Sequence, residues 1–210
     1  MFKLNFVLMV LFIFISSFSL LAQWSQTNGP YGGNIHCLVT KLNGSGDTLL
    51  FAGTYSSGVF RSTNNGTSWT QVNTGLTNTY IQSLVVSGPN IFAGTNNGVF
   101  RTIDNGLSWT QSGLTTQGVS SFAISGTNLF AGTGDGVFLS TNNGTSWTSV
   151  NSGLTNTYVW SLTVSGTNLF AGSYGGGVFL STNNGVSWTQ VNVGLTNTWI
   201  QSLAVSGTSI

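Results

Sequence analysis

One eight-residue phrase returns four times along this chain. It reads Ser62-Thr-Asn-Asn-Gly-Thr-Ser-Trp69, Thr102-Ile-Asp-Asn-Gly-Leu-Ser-Trp109, Ser140-Thr-Asn-Asn-Gly-Thr-Ser-Trp147 and Ser181-Thr-Asn-Asn-Gly-Val-Ser-Trp188. The tryptophans stand 40, 38 and 41 residues apart. Self-similarity at such a period is the mark of a stacked or circular array, in which each unit buries its apolar face only against its neighbours. That constraint precedes every local reading.

Within each period four short apolar runs recur between turn residues. The second unit shows them as Ser83–Ser87, Asn90–Gly94, Gly98–Thr102 and Ser108–Gln111. All are of strand length, with Gly or Asn at the junctions where a turn needs positive φ. The first run is apolar at consecutive positions, as in a strand covered on both faces, and the fourth is polar, as an outer edge should be. The expected fold is all-β, a propeller of four-stranded antiparallel blades. There are about four complete blades, ending near Trp69, Trp109, Trp147 and Trp188, plus partial units at both ends.

Length variation falls between the strands. The 38-residue interval lacks two residues between Trp109 and Phe122, in the link from blade to blade. The 41-residue interval carries one extra near Tyr174, in the turn between second and third strands. Trp24-Ser-Gln-Thr-Asn-Gly29 matches a fourth strand, and Gln201–Thr208 matches a first strand followed by nothing. The simplest expectation is a truncated piece of a longer propeller, with a self-contained open stack as the alternative. Unclosed ends would invite self-association.

The N-terminus reads as a signal peptide over 1–22: Lys3, the apolar run Phe6–Ile15, then small residues with cleavage after Ala22. The run is shorter than the ~20 apolar residues of a membrane span, although an uncleaved anchor is the alternative. Export as a secreted or cell-surface protein is therefore expected, with the repeats occupying 23–210 and no membrane insertion after cleavage. Without Lys3 the remaining charges are Lys41, Arg61 and Arg101 against Asp47, Asp104 and Asp135, with no Glu. Such a neutral chain has no basic stripe for nucleic acid. The single cysteine, Cys37, rules out an intramolecular disulfide and reads as a small core residue.

The repeated phrase resembles the Asp-box, or bacterial neuraminidase repeat, of β-propellers. So does the surrounding Phe51-Ala-Gly-Thr54 and Gly58-Val-Phe-Arg61. Similar repeats occur in sialidases, xyloglucanase-type glycoside hydrolases, sortilin-type receptors and photosystem II assembly factors, so the resemblance implies fold far more than function. It implies a hairpin between third and fourth strands, away from any active site, with Trp packed under it. The residues then expected to be structural are Asn64, Gly66 and Trp69, then Asp104, Gly106 and Trp109, with Asn142, Gly144, Trp147, Asn183, Gly185 and Trp188 in the later units. Only Asp104 keeps the family's acid. Asn supplies the same acceptor oxygen without charge.

Catalytic groups are scarce. Glycoside hydrolysis normally needs two carboxyl groups roughly 5–10 Å apart, and the three here sit in three different kinds of loop. His36 aligns with Gln82, Ser120, Trp160 and Gln201, without acidic or thiol neighbours, and reads as surface or channel-lining rather than metal-binding. Tyr174-Gly-Gly-Gly177 is followed by no Lys and is not a phosphate loop. No catalytic residue, cofactor or metal is expected. The remaining signal is aromatic: Tyr80, Tyr158 and Trp199 in the links, Tyr55 and Tyr174 in the turns, and Trp160 at the start of an inner strand all fall on one face, opposite the boxes. Rings with polar tips among Thr and Asn suit an extracellular glycan or protein surface; the alternative is simple packing between blades. The expected function is a non-catalytic binding or scaffold module. The runner-up is part of a glycoside-hydrolase-like propeller, of sialidase or xyloglucanase type, whose catalytic residues lie outside this chain.

Overall fold

Runs of Val, Ile, Leu and Phe between positive-φ turns form short antiparallel strands wherever neighbouring runs can pair. The computed structural model describes residues 28–31, 33–206 and 210. The expected signal peptide and residues 24–27 of the Trp24 segment lie outside them, while Asn28 forms an isolated parallel bridge with Ser68. The first blade is β1 (Ile35–Leu42), β2 (Thr48–Thr54), β3 (Val59–Ser62) and β4 (Thr70–Gln71). The second is β5 (Ile81–Ser87), β6 (Asn90–Thr95), β7 (Gly98–Thr102) and β8 (Thr110–Gln111). The third is β9 (Val119–Ser125), β10 (Asn128–Thr133), β11 (Gly136–Ser140) and β12 (Thr148–Ser149). The fourth is β13 (Val159–Ser165), β14 (Asn168–Ser173), β15 (Gly177–Ser181) and β16 (Thr189–Gln190). Each sheet pairs its strands in chain order, all antiparallel. The inner strands β1, β5, β9 and β13 neighbour one another in sequence. This is an open β-propeller of about four blades.

The second strand, rather than the first, is the most thoroughly buried: every residue of β6 is inside. The inner strands keep more exposure, as β5 and β9 show. The outermost strands are two exposed residues each, in keeping with their polar sequence.

The core lies between blades. Phe51, Val59 and Val72 of the first blade pack with Leu84, Ile91, Phe100 and Trp109 of the second. Phe92 and Val99 meet Leu129 and Ala131, and Phe130 and Val137 meet Leu162, Leu169 and Trp188. Leu38, the counterpart of Leu84, is 61% exposed because no described blade precedes it. Cys37 packs against the first of these cores, and burial pushes its thiol up to about 12, so it stays protonated and inert.

The tryptophans also reach beyond their own hairpins. Trp109 donates its indole N–H to the Val72 carbonyl of the preceding blade at 2.8 Å, and Trp188 donates to Val150 at 2.7 Å. Trp147 divides its N–H between Ser112 of the preceding blade and Gly144 of its own turn. Trp69 Nε1 is buried without a partner. Trp109, Trp147 and Trp188 therefore tie their blades backwards to the one before. Arginine ties forwards: Arg61 donates to the Asn105 carbonyl and Arg101 to the Asn143 carbonyl of the following blade.

The C-terminal segment also departs from expectation. Residues 201–205 pair as no strand. They lie along the fourth blade, held by Ile200 N–H to Ser173 O (3.0 Å) and Leu203 N–H to Ser161 Oγ (2.9 Å).

Candidate functional site

In a four-stranded antiparallel meander the first and third turns share one rim, and the second turn and the interblade link share the other. The rim with the third-to-fourth-strand turns is committed to itself. Asn64 Oδ1 accepts from the Ser68 backbone at 2.9 Å and from the Ser62 hydroxyl at 2.9 Å. Asp104, Asn142 and Asn183 accept the equivalent N–H of Ser108, Ser146 and Ser187, each at 2.9 Å. Glycine alone does not supply the left-handed backbone: Asn65, Asn105, Asn143 and Asn184 also take φ of 54–59°. The glycines that follow answer a second demand. A Cβ on Gly144 would lie 2.6 Å from the Phe92 ring of the preceding blade.

The opposite rim carries the aromatic residues, in two groups. Tyr55 and Tyr80 meet with ring centroids 3.9 Å apart, and His36 stands edge-on to Tyr55 at 5.2 Å. On the other side Tyr174 stacks on Trp199 at 4.5 Å, and Trp160 and Tyr158 close on Tyr174 at 5.3 and 6.0 Å. Tyr158 and Trp199 are 51% and 58% exposed, so these rings stand out from the blade interfaces. Asn156 and Asn197 each hold the backbone N–H two residues on, at Tyr158 and Trp199, which sets the direction in which each link presents its ring.

Between the groups lies a cleft of about 500 Å³, bordered by Tyr80 and His36 at one end and Tyr158 and Trp160 at the other. Gln82, Asn96 and Ser120 line it together with two glycines, Gly118 and Gly134. Gly118 occupies the link position of Tyr80, Tyr158 and Trp199, and Gly134 the turn position of Tyr55 and Tyr174. The third blade thus lacks the link ring that both neighbours carry and the turn ring of the first and fourth blades, where the second has Asn96, and the space left open is the cleft. Gln82, Asn96, Ser120 and these glycines were not among the residues expected at the site. Their signal was present as breaks in the aromatic register, at Asn96, Gly118 and Gly134.

The link before the third blade is the one shortened by two residues, and the structure shows what was lost. Asn73, Asn151 and Asn192 each lock the second turn of their blade, accepting from Val59, Val137 and Val178 at 2.7–2.8 Å. The second blade has Ser112-Gly-Leu114 there, and the Leu114 carbonyl takes the Val99 N–H instead.

No carboxylate borders the cleft. Asp47 is held by Asn43 and Ser45, which lower its pKa. Slight burial raises the pKa of Asp104, but hydrogen bonds from Ser108 and Thr102 outweigh it and bring the value down to about 2. Asp135 is exposed in its turn. Among the described residues no group of three His, Cys, Asp or Glu could hold a metal ion.

Comparison with known proteins agrees with this architecture. The DUF6242 beta propeller domain matches residues 23–156. No curated protein matches. Among solved structures, an ancestral GH74 enzyme is similar at 24% identity and TM-score 0.64, over 76% of this chain and 24% of its own. The GH74 xyloglucanase of Xanthomonas campestris is similar at 16% identity and TM-score 0.62, over 79% of this chain and 31% of its own. The extracellular domain of a protein described as a hybrid two component system, BT3049 of B. thetaiotaomicron, is similar at 19% identity and TM-score 0.65, over 85% and 25%. At such identities the likeness is one of fold, and the chain spans between about a quarter and a third of the length of these structures.

Proposed function

We propose that this chain, which belongs to the DUF6242 beta propeller domain family, is an exported, non-catalytic binding module that engages a neutral extracellular ligand through its aromatic rim, glycan ahead of peptide. The observation that carries the reading is the pair of exposed aromatic groups flanking a cleft without charge. Export rests on the Lys3 and Phe6–Ile15 pattern and is supported by the likeness to an extracellular domain. The opposite rim is an unsuitable surface, since its side chains are occupied in their own turns.

The likeness to GH74 enzymes favours a second reading, a piece of a glycosidase propeller with its catalytic pair elsewhere. Against it, the chain has three carboxylates in all and none at the cleft. A glycan array probed with the parent and with a Tyr158→Ala/Trp199→Ala variant tests the proposal. A glycan signal that the variant loses supports it. A signal unchanged by the variant places the binding surface elsewhere, and paired acidic residues encoded beyond Ile210, with hydrolysis by that longer product but not by this chain, favour the second reading.

A further inference from the structure

Not every ring on the aromatic rim borders the cleft. Tyr174 and Trp199 stack on each other outside it, whereas Tyr80 and Tyr158 stand at its two ends over the third blade. Between those ends the lining offers hydrogen bonds already set in direction. Gln82 Nε2 donates to Asn96 Oδ1 across the cleft wall. That contact fixes both amides and leaves Gln82 Oε1 to accept and Asn96 Nδ2 to donate, side by side. Ser120 is engaged with the carbonyls of Gly132 and Val159 and holds the neighbouring inner strand in place.

From this arrangement, and resting on the reading of the rim as a neutral-ligand surface, we infer that the cleft over the third blade is a subsite for a linear neutral oligosaccharide, laid from Tyr80 to Tyr158 with its hydroxyl edge on the Gln82–Asn96 amide pair. Three features select this class. A vicinal pair of sugar hydroxyls can donate to one group and accept from its neighbour, which is what the paired amides present. The flat C–H faces of pyranose rings match aromatic faces at both ends, and the cleft volume lies in the range of ligand sites. An acidic sugar would find no arginine or lysine in the lining. A peptide strand would want a free sheet edge to extend, and the cleft wall is made of side chains and turns.

The glycines make the test. A Cβ on Gly118 would meet the Asn96 backbone at 3.6 Å, and one on Gly134 would meet the Tyr158 ring at 3.5 Å, both ordinary contacts, and neither glycine has the positive φ that would strain a side chain. Gly118→Tyr therefore restores the link residue of both neighbouring blades and Gly134→Tyr the turn residue of the first and fourth, and both fill the cleft without disturbing the fold. Near-ultraviolet circular dichroism verifies that. Binding of cellohexaose, xylohexaose, mannohexaose and laminarihexaose is then measured by calorimetry for the parent, the two glycine variants, Tyr158→Ala and Tyr174→Ala.

The expected result is that the parent binds at least one of the four. Gly118→Tyr should abolish that binding, Tyr158→Ala should weaken it about ten- to thirty-fold, and Tyr174→Ala should change it less than about three-fold. Undiminished binding by folded Gly118→Tyr, with loss in Tyr174→Ala, would overturn the cleft assignment and leave the rim as the ligand surface. Absence of binding to all four sugars would overturn the cleft assignment together with the glycan reading.

Discussion

The backward tie can be measured by comparing Trp109, which makes it, with Trp69, which does not. An aromatic side chain of this size buries about 150–250 Å², and Trp109 is 2% exposed. At about 25 cal/mol per Å² the transfer contribution is about 4–6 kcal/mol, and truncations of this kind cost about 3–5 kcal/mol. We therefore expect Trp109→Ala to cost about 3–5 kcal/mol, toward the upper end because the Val72 carbonyl loses its donor inside an interface. For a chain of this length that lowers Tm by about 6–20 °C. Trp69 is half-buried and its indole N–H has no partner, so Trp69→Ala should cost about half as much. The phenylalanine variants isolate the hydrogen bond. Trp109→Phe orphans the Val72 carbonyl at about 1–3 kcal/mol, whereas Trp69→Phe removes an unsatisfied donor and should be neutral or stabilising. Urea unfolding of the four variants gives the comparison. Equal losses at positions 69 and 109 would refute the claim that the preceding blade, and not the hairpin itself, is what the ring stabilises.

Other outcomes follow from the same structure. Protein recovered from the culture medium should begin at or near Gln23 by N-terminal sequencing, and an intact Met1 in membranes would contradict export. Asp104 is depressed from 3.8 to about 2 on folding, so its stabilising contribution is full above the ordinary value and is lost as pH falls through about 2. Asp104→Asn should keep the turn, as Asn64 and Asn142 do, and the Tm difference between parent and variant should shrink between pH 4 and 2; a pH-independent difference would be contrary. The exposed Leu38, near Leu50 and Trp69 on the leading face of the first blade, should drive concentration-dependent self-association. Leu38→Asn should shift light scattering toward the monomer, and a parent already monomeric at all concentrations would remove this expectation.

The blade was legible because its evidence is local: four runs, four turns and a fixed period all stand within forty residues. The aromatic rim was legible for the same reason, since the parity of a meander decides which loops share an end. What escaped was relational. That Trp109 reaches Val72, 37 residues back, depends on how neighbouring sheets twist and offset, and no pattern within one unit encodes it. Burial of the second strand above the first is likewise decided only once blades pack side by side. The cleft was missed because Gly118 and Gly134 are conspicuous by what they lack, and attention to chemistry-bearing side chains passes over a place where two are missing. Asn65 escaped for a simpler reason: the following glycine offered a sufficient account of the turn.

The backward tie ends on the main-chain carbonyl of Val72, of Ser112 and of Val150. Its acceptor is a group that every residue possesses, so the joint carries no address. Any unit can follow any other. A slippage during copying that inserted or removed one whole period would leave such an indole opposite a carbonyl, so this bond would need no compensating change at the new seam. Individual link positions are then free to diverge from copy to copy. Gly118 among Tyr80, Tyr158 and Trp199 is such a divergence, written on a scaffold whose joints ignore it.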